Sequence, residues 1–245
     1  MLIDSHAHLN FKDFNNDLEE VIGRCRAENI EVINVGAGIN TSERAVEIAE
    51  KYNMYAGIGV HPIHTESEFD IEKLRELARS DKVVAIGEIG LDYFKDYGKY
   101  KDKQKEIFIK QLDLAKELDL PIIIHCRMAH RDVLDILKDY NLKGVIHCFT
   151  GNWEEAKRYL DLGFYVGMNG IMFKFDLKEV IEKTPLDKIL LETDCPYLIP
   201  PQVPQKRNEP IFMKYTAEEI AKIKNITFRE VAQTTVQNTK TLFKI

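Results

Sequence analysis

The chain has 245 residues, of which 44% are hydrophobic and 30% charged, a composition typical of a globular protein and not of a disordered one. The formal net charge of −6 argues against a broad basic surface that coats a nucleic-acid duplex. No apolar run approaches the roughly 18–20 residues of a membrane span, and the first residues lack the pattern of a signal peptide. We therefore expect a cytoplasmic protein with no membrane partner, whose four cysteines stay reduced.

Short runs rich in valine and isoleucine recur along the chain and predict buried parallel strands. About eight can be recognised, at residues 2–3, 32–35, 55–60, 83–86, 121–124, 144–146, 164–167 and 189–191. Strands that alternate with helices, in a chain without a break in composition, predict a single α/β domain over residues 1–245. Eight repeats of this unit favour a closed (β/α)8 TIM barrel.

Helical spacing of apolar residues fills the segments between the strands. It predicts helices around residues 18–25, 107–118 and 133–137, and two more over residues 214–224 and 227–243. Thr41 and Asn152 are of the capping type and are followed by acidic residues, so a helix is expected to begin at each. Thr227 and Glu230 have the spacing of a capping box.

The alternative fold is a doubly wound open sheet, which would carry a glycine-rich nucleotide-binding loop. The segment from Gly36 to Gly38 supplies only the first two glycines of that fingerprint. This weak match favours the closed barrel over the open sheet.

His6 and His8 follow the first predicted strand as a His-x-His pair. Residues two apart in a strand point to the same side, so the two imidazoles either share a metal ion or are unrelated surface residues. Four more residues of ligand type end other strands, namely Glu88, His125, His147 and Asp194. Because the strand ends of a barrel converge on one face, the six residues predict a site for Zn²⁺, Mn²⁺ or Mg²⁺. Polar residues that are merely hydrogen-bonded would explain any one of them, but not all six.

Seven motifs resemble those of the TatD family of metal-dependent deoxyribonucleases, within the amidohydrolase superfamily. They are Asp4-Ser-His6-Ala-His8-Leu, Gly59-Val-His61-Pro62, Gly87-Glu88-Ile-Gly90-Leu91-Asp92-Tyr93, Ile124-His125-Cys-Arg127, His147-Cys148-Phe149-Thr150-Gly151, Glu192-Thr193-Asp194-Cys-Pro196-Tyr197-Leu198 and Arg207-Asn208-Glu209-Pro210. Each motif alone is short, but the set occurs in the family order and covers the chain end to end.

The resemblance implies two adjacent divalent cations, either Zn, Mg or Mn. His6, His8, Glu88 and Asp194 would bind the first cation, and Glu88, His125 and His147 the second, so that Glu88 bridges the pair. The implied activity is a DNase that hydrolyses phosphodiester bonds of single-stranded DNA or of DNA ends with a water activated between the cations. Glu88 and Asp194 would be the catalytic residues, and Asp194 would take or relay the proton of that water.

Four residues are expected to contact the substrate, namely His61, Arg127, Arg207 and Asn208. For His61, a phosphate contact and a structural hydrogen bond both remain open. Arg127 either holds a phosphate bidentately or pairs with a neighbouring acid. Similar proteins often carry an Arg-Gly-Lys stretch before Arg207, of which this chain keeps only Lys206. The lysine-rich segment 95–105, with its interleaved tyrosines, fits either single-strand binding or a solvated helix start.

Strand alternation predicts that three cysteines next to proposed ligands, Cys126, Cys148 and Cys195, point away from the metal centre. Asp92 either orients a histidine or serves as a turn residue. A hydrolase of another ester or amide, such as an aminoacyl-tRNA ester, would fit the same metal centre, since fold alone does not set function. A non-enzymatic binding protein is less consistent with six intact ligands. We expect a monomer.

Overall fold

A computed structural model describes residues 1–64 and 69–245 of the chain. Eight strands run in chain order as β1 (Leu2–Ala7), β2 (Ile30–Val35), β3 (Tyr55–Ile58), β4 (Val83–Asp92), β5 (Ile122–Arg127), β6 (Gly144–His147), β7 (Tyr165–Met168) and β8 (Ile189–Leu191). The helices are α1 (Leu18–Ala27), α2 (Ile39–Tyr52), α3 (Ile71–Leu77), α4 (Lys101–Leu118), α5 (His130–Leu137), α6 (Trp153–Asp161), α7 (Lys178–Lys183), α8 (Met213–Lys224) and α9 (Phe228–Phe243). None of the helices in these two ranges has the length and apolar character that crossing a bilayer requires.

Each strand pairs in parallel with the next one along the chain, from β1 to β8. The ring is completed by the segment after β8, where the Asp194 amide donates to the His6 carbonyl at 2.9 Å and the His8 amide donates to the Cys195 carbonyl at 2.9 Å. The predicted (β/α)8 barrel is therefore confirmed, and the alternative open sheet is wrong.

The strands extend further than their apolar runs at the end where the polar residues lie. β1 reaches Ala7, whereas its apolar run ends at Ile3, and β4 reaches Asp92. Every residue of both strands is buried. A polar residue at this end of the barrel therefore lies within the strand and does not mark where the strand ends. Hydrophobicity alone therefore underestimates the strand length here.

Two of the three predicted helix starts are confirmed. Asn152 and Thr227 each form a full capping box, in which the cap side chain accepts from the third helical amide and a glutamate reaches back to the cap amide. Thr41 is not a cap, since α2 begins two residues earlier, after Gly38. The Thr41 hydroxyl instead accepts from the Ala37 amide at 2.9 Å and ties down the incoming loop.

The barrel interior contains an apolar layer beneath its mouth. Its strand residues are Ile33, Val35, Val84, Ala85, Ile123, Val145 and Leu190. On β5, β6 and just after β8, the residue two positions beyond this layer is polar, namely His125, His147 or Glu192. Side chains two apart in a strand share a face, so the apolar layer forms a floor for the polar cluster. Leu242 and Phe243 of α9 pack into the same layer.

Candidate metal centre

All six predicted ligands lie together at the mouth of the barrel. His6 belongs to β1, Glu88 to β4, His125 to β5 and His147 to β6, while His8 and Asp194 follow β1 and β8. A cavity of about 890 Å³ opens over them, and every ligand except the deeper His6 lines it. This is the face on which barrel enzymes build their active sites.

Glu88 lies at the centre of the cluster, and its two carboxylate oxygens face different histidines. Oε2 lies 3.4 Å from His6 Nε2 and 3.7 Å from His8 Nε2. Oε1 lies 3.0 Å from His125 Nδ1 and 3.3 Å from His61 Nε2. Burial raises the pKa of Glu88, but the imidazoles of His61 and His6 outweigh burial and hold the pKa well below its usual range. The carboxylate is therefore ionised at neutral pH.

The first group of ligands consists of His6, His8 and Asp194. The His8 Nδ1–H donates to the Val35 carbonyl at 2.8 Å, which leaves the lone pair on Nε2. That Nε2 lies 3.1 Å from His6 Nε2 and 3.3 Å from Asp194 Oδ1. Burial and the neighbouring His147 lower the pKa of His6 to about 4, so that its imidazole is neutral, as a metal ligand must be.

His147 is held from behind by a buried carboxylate. Its Nδ1 lies 2.9 Å from Glu192 Oε1, while its Nε2 points towards Asp194 Oδ1 at 3.6 Å. Burial lowers the pKa of His147, but Glu192 and Asp194 outweigh it and raise the pKa to about 10, so a cation that binds this ring has to displace a proton from it. Glu192 is itself fixed by the Asn169 amide at 2.9 Å and the Cys148 backbone amide at 2.7 Å. Such a carboxylate sets the orientation of a ligand histidine.

His125 is held between two carboxylates. Its Nε2 lies 3.0 Å from Asp92 Oδ2, and its Nδ1 faces Glu88. Asp92 also accepts from the Phe94 amide at 2.8 Å, so both readings of Asp92 apply: it orients a histidine and stabilises the turn after β4.

His61 contacts Glu88 as a hydrogen-bond donor. The Ile63 amide donates to His61 Nδ1 at 3.1 Å, which places the ring proton on Nε2, facing Glu88 Oε1. Burial lowers the pKa of His61 to about 4, and the ring is neutral at pH 7. The structure thus contains a structural hydrogen bond, from the Ile63 amide, while His61 also lines the cavity and its phosphate contact stays a prediction.

The donor set fits divalent cations. Four carboxylates, of Glu88, Asp92, Glu192 and Asp194, lie in the cluster, and within the described ranges none of them pairs with a lysine or arginine. Carboxylates in such a buried site need compensating positive charge. Groups of three possible ligand atoms lie within 4.8 Å of one another, among them His6, His8 and Asp194, and His61, Glu88 and His125. Imidazole nitrogens with carboxylate oxygens suit Zn²⁺ and Mn²⁺, and the carboxylates also suit Mg²⁺.

The family model described as TatD related DNase matches residues 3–244. The chain belongs to the TatD family. It is 47% identical to the uncharacterized metal-dependent hydrolase YabD of Bacillus subtilis, with 100% of both chains covered. It is 33% identical to the 3'-5' ssDNA/RNA exonuclease TatD of Escherichia fergusonii, covering 100% of this chain and 99% of that one. The crystal structure of YJJV, a TatD homologue of Escherichia coli K12, has a TM-score of 0.93 at 32% identity and covers 100% of this chain and 98% of that one.

Membership of this family establishes the general activity: the protein is a metal-dependent hydrolase. Two of its TatD motif residues, however, make contacts elsewhere in the protein. Arg207 donates to both oxygens of Asp17 at 2.8 and 2.6 Å and to Glu209 at 2.9 Å. Asn208 donates to the Thr193 carbonyl at 3.0 Å. Neither is among the residues that line the cavity; both make contacts within the protein, and their substrate contacts stay a prediction. Asn208 thus braces the loop that carries Asp194, whereas Arg207 ties its own segment to the residues before α1.

Arg127 does line the cavity. Its guanidinium carbon lies 3.7 Å above the centre of the Phe94 ring, and in residues 1–64 and 69–245 no carboxylate forms a salt bridge with it. The lysine-rich segment 95–105 contributes no cavity-lining residue. It forms a 3-10 helix over Lys95–Tyr100 and the first turn of α4, which agrees with the solvated helix start.

The sequence pattern does not predict the positions of two residues near the centre, Cys148 and Glu192. Cys148 was expected to face away, but β6 ends at His147 and Cys148 adopts a left-handed backbone with φ of 46°. Its sulfur therefore comes within 4.8 Å of ligand atoms of His147 and Asp194. Strand alternation fails because the strand does not continue. Glu192 is not among the six predicted ligands, although its position two residues after the inward-facing Leu190 places its side chain on the same face.

Proposed function

We propose that the protein is a nuclease that hydrolyses phosphodiester bonds at the ends of single-stranded DNA with two divalent cations. The observation that carries this proposal is the central Glu88, whose Oε2 faces His6 and His8 while its Oε1 faces His125. One carboxylate between two sets of imidazoles is suited to hold two cations close together. The name of the Escherichia fergusonii relative, an exonuclease of single-stranded DNA and RNA, supports the substrate class.

The cations would supply Lewis-acid chemistry, stabilising charge on a phosphoryl oxygen and easing deprotonation of water. His6, His8, Glu88 and Asp194 would hold one cation, and Glu88, His125 and His147 the other. The carboxylates offset the positive charge of the pair, while Asp92 and Glu192 keep the imidazole rings of His125 and His147 in place.

Asp194 is the residue that we assign as proton acceptor. Its side chain is 16% exposed, compared with 5% for Glu88 and 0% for Glu192, so it is the carboxylate that an attacking water reaches most easily. Burial raises its pKa, but His147 and His8 outweigh burial, and the pKa stays below its ordinary value. Asp194 is thus ionised and able to accept a proton at neutral pH.

The cavity favours a strand end over the interior of a duplex. Arg127 is the only arginine or lysine among the described residues that line it, and the net charge is −6. With few phosphate contacts, we expect a shallow salt dependence, at a slope of about −0.7 per contact for single strands. Because a single chain supplies all six ligands, we propose that a monomer is sufficient.

The proposal is tested with enzyme stripped of metal by a chelator and then supplied with Mg²⁺, Mn²⁺ or Zn²⁺. The substrates are end-labelled single-stranded DNA, covalently closed duplex DNA, RNA and an aminoacyl-tRNA. We expect metal-dependent shortening of the single strand and little cutting of the closed duplex, with Glu88→Gln as the inactive control. Equal cleavage of the closed duplex contradicts the end-directed activity. Hydrolysis of the aminoacyl ester without cleavage of any nucleic acid contradicts the nuclease proposal and supports the alternative, a hydrolase of aminoacyl esters.

A further inference from the structure

The rim of the cavity carries large apolar side chains that attack on a phosphodiester does not by itself require. Tyr197 and Phe175 are each 54% exposed and Met128 is 70% exposed, and all three line the cavity. Exposed apolar side chains grouped around a polar site are typical of a surface that binds a ligand. The rim is therefore a candidate for the part of the site that recognises what lies beside the phosphate.

Two groups of aromatic side chains stand out on this rim. The first, here called the Phe94 platform, consists of Phe94 and Arg127, whose guanidinium carbon lies 3.7 Å from the centre of the Phe94 ring, while the Lys95 ammonium lies 5.0 Å from the same centre. It follows the ends of β4 and β5. The second, here called the Tyr197 platform, consists of Phe11, which stacks on His8 at 4.3 Å with an interplanar angle of 6°, and Tyr197, whose ring meets Phe11 edge-on at 6.4 Å. It follows β1 and β8.

The two platforms lie on opposite sides of the metal ligands. In a ring of eight strands in the order β1 to β8, β5 is diametrically opposite β1. The Phe94 platform begins beyond His125, whereas the Tyr197 platform rests on the ring of His8. Glu88 lies between these two histidines, 3.0 Å from His125 and 3.7 Å from His8. A phosphate at Glu88 would therefore have aromatic side chains on either side.

The chemistry of the platforms selects a planar ligand. Aromatic rings and a stacked guanidinium bind nucleobases through their π faces, and each base stacked on a protein ring adds roughly a five-fold or greater gain in affinity. An aliphatic group would gain no stacking there. Arg127 is the single arginine or lysine in the described lining. Because one positive side chain contributes little affinity for a phosphate backbone, we expect stacking to contribute much of the binding affinity.

We propose that each platform receives one nucleobase, so that the bond cleaved joins two base-bearing nucleotides at the end of a strand. This inference rests on the proposed nuclease function and names the part of the substrate that the site recognises. The Phe94 platform and the Tyr197 platform bind the bases on the two sides of the scissile phosphate.

The test uses three single-stranded oligonucleotides of one sequence: an intact strand, one that lacks the terminal base, and one that lacks the penultimate base. Each is assayed with the metal-loaded wild type and with Phe94→Ala and Tyr197→Ala. Phe94→Tyr and Tyr197→Phe keep a ring at each position. Phe228→Ala is the matched control, since Phe228 is an exposed phenylalanine at the start of α9 and does not line the cavity. The readout is kcat/KM for each pair of enzyme and substrate.

We expect the wild type to prefer the intact strand over either abasic strand by roughly ten-fold or more. Phe94→Ala should remove the preference for one of the two bases, and Tyr197→Ala the preference for the other. The ring-keeping variants should restore each preference, and Phe228→Ala should retain both.

Equal cleavage of all three strands by the wild type contradicts the proposal that the platforms bind bases, but it does not contradict the nuclease function. Loss of the same base preference in both alanine variants overturns the assignment of one base to each platform. If no strand is cut with any of the three metals, the proposed function itself fails, and this inference fails with it.

Discussion

The two ends of the barrel are equally buried but contain opposite chemistry. At the closed end, Leu242 and Phe243 of α9 are each 3% exposed and pack against apolar strand residues such as Leu190. At the open end, the side chain of Glu88 is 5% exposed and that of Glu192 is fully buried. Both carboxylates lie beside imidazole rings. The same strands therefore carry apolar side chains at one end and a dense group of charges at the other.

This difference separates the residues that hold the fold from those that perform chemistry. Burial of apolar surface stabilises a protein by roughly 25 cal/mol per Å², whereas buried carboxylates reduce stability unless cations or hydrogen bonds compensate them. We expect substitutions at the closed end to change stability and not catalysis, and substitutions at the open end to do the reverse. The following predictions, from the largest effect to the smallest, test that separation.

Glu88→Gln should abolish turnover while the fold remains intact. The amide keeps the shape of the side chain but removes the charge that holds two cations close together. We expect kcat/KM to fall on the order of 10³-fold or more. Steady-state kinetics measure the loss, and circular dichroism and thermal unfolding serve as the control for folding. Activity close to that of the wild type would contradict the central role of Glu88.

Phe243→Ala should lower the free energy of unfolding by about 3–5 kcal/mol, because a buried aromatic ring leaves a cavity at the closed end. Chemical denaturation measures this change. The kcat of the molecules that remain folded should equal that of the wild type, since Phe243 packs in the apolar layer beneath the ligands and does not line the cavity. A large loss of kcat in fully folded protein would show that the two ends are coupled.

Glu192→Gln should weaken metal binding by roughly 10- to 100-fold, the range found when a carboxylate behind a ligand histidine is removed. Glu192 touches no substrate and acts by positioning His147. Metal affinity is measured by competition with a chromophoric chelator, and metal content by elemental analysis. Glu218→Gln, at an exposed position in α8, is the matched control. Unchanged metal affinity with reduced kcat would assign Glu192 a different role.

Arg207→Gln should have the smallest effect, a loss of about 1 kcal/mol or less in unfolding free energy at pH 7, because its partner Asp17 is 34% exposed and screened by solvent, and its other partner, Glu209, keeps its ion pair with Arg24. Arg207 holds the pKa of Asp17 below its ordinary value of 3.8. The contribution is therefore complete above about pH 4 and is lost as the pH falls through the lowered value. Urea unfolding at pH 7 and near pH 3 measures the difference between variant and wild type, which should shrink in acid. A difference that grows in acid would contradict the ion pair.

The sequence by itself determined the repeating architecture and the identity of the candidate ligands. Buried parallel strands are continuous apolar runs, and these are visible in a single chain. The histidine or carboxylate that follows such a run is equally visible, as with His125 on β5 and His147 on β6. Because a barrel brings all strand ends to one face, the location of the site followed from local patterns plus one rule of topology.

Only the tertiary structure decided how individual side chains are used. Arg207 pairs with Asp17, 190 residues earlier in the chain, and so braces a loop instead of facing the cavity. Cys148 turns towards the centre because the strand before it ends one residue sooner than alternation assumes. Glu192 meets His147 from another strand end, 45 positions along the chain, across a gap that Gly167 leaves open. For Arg207 and Glu192 the partner is distant in sequence, and local periodicity carries no information about which distant group a polar side chain will meet.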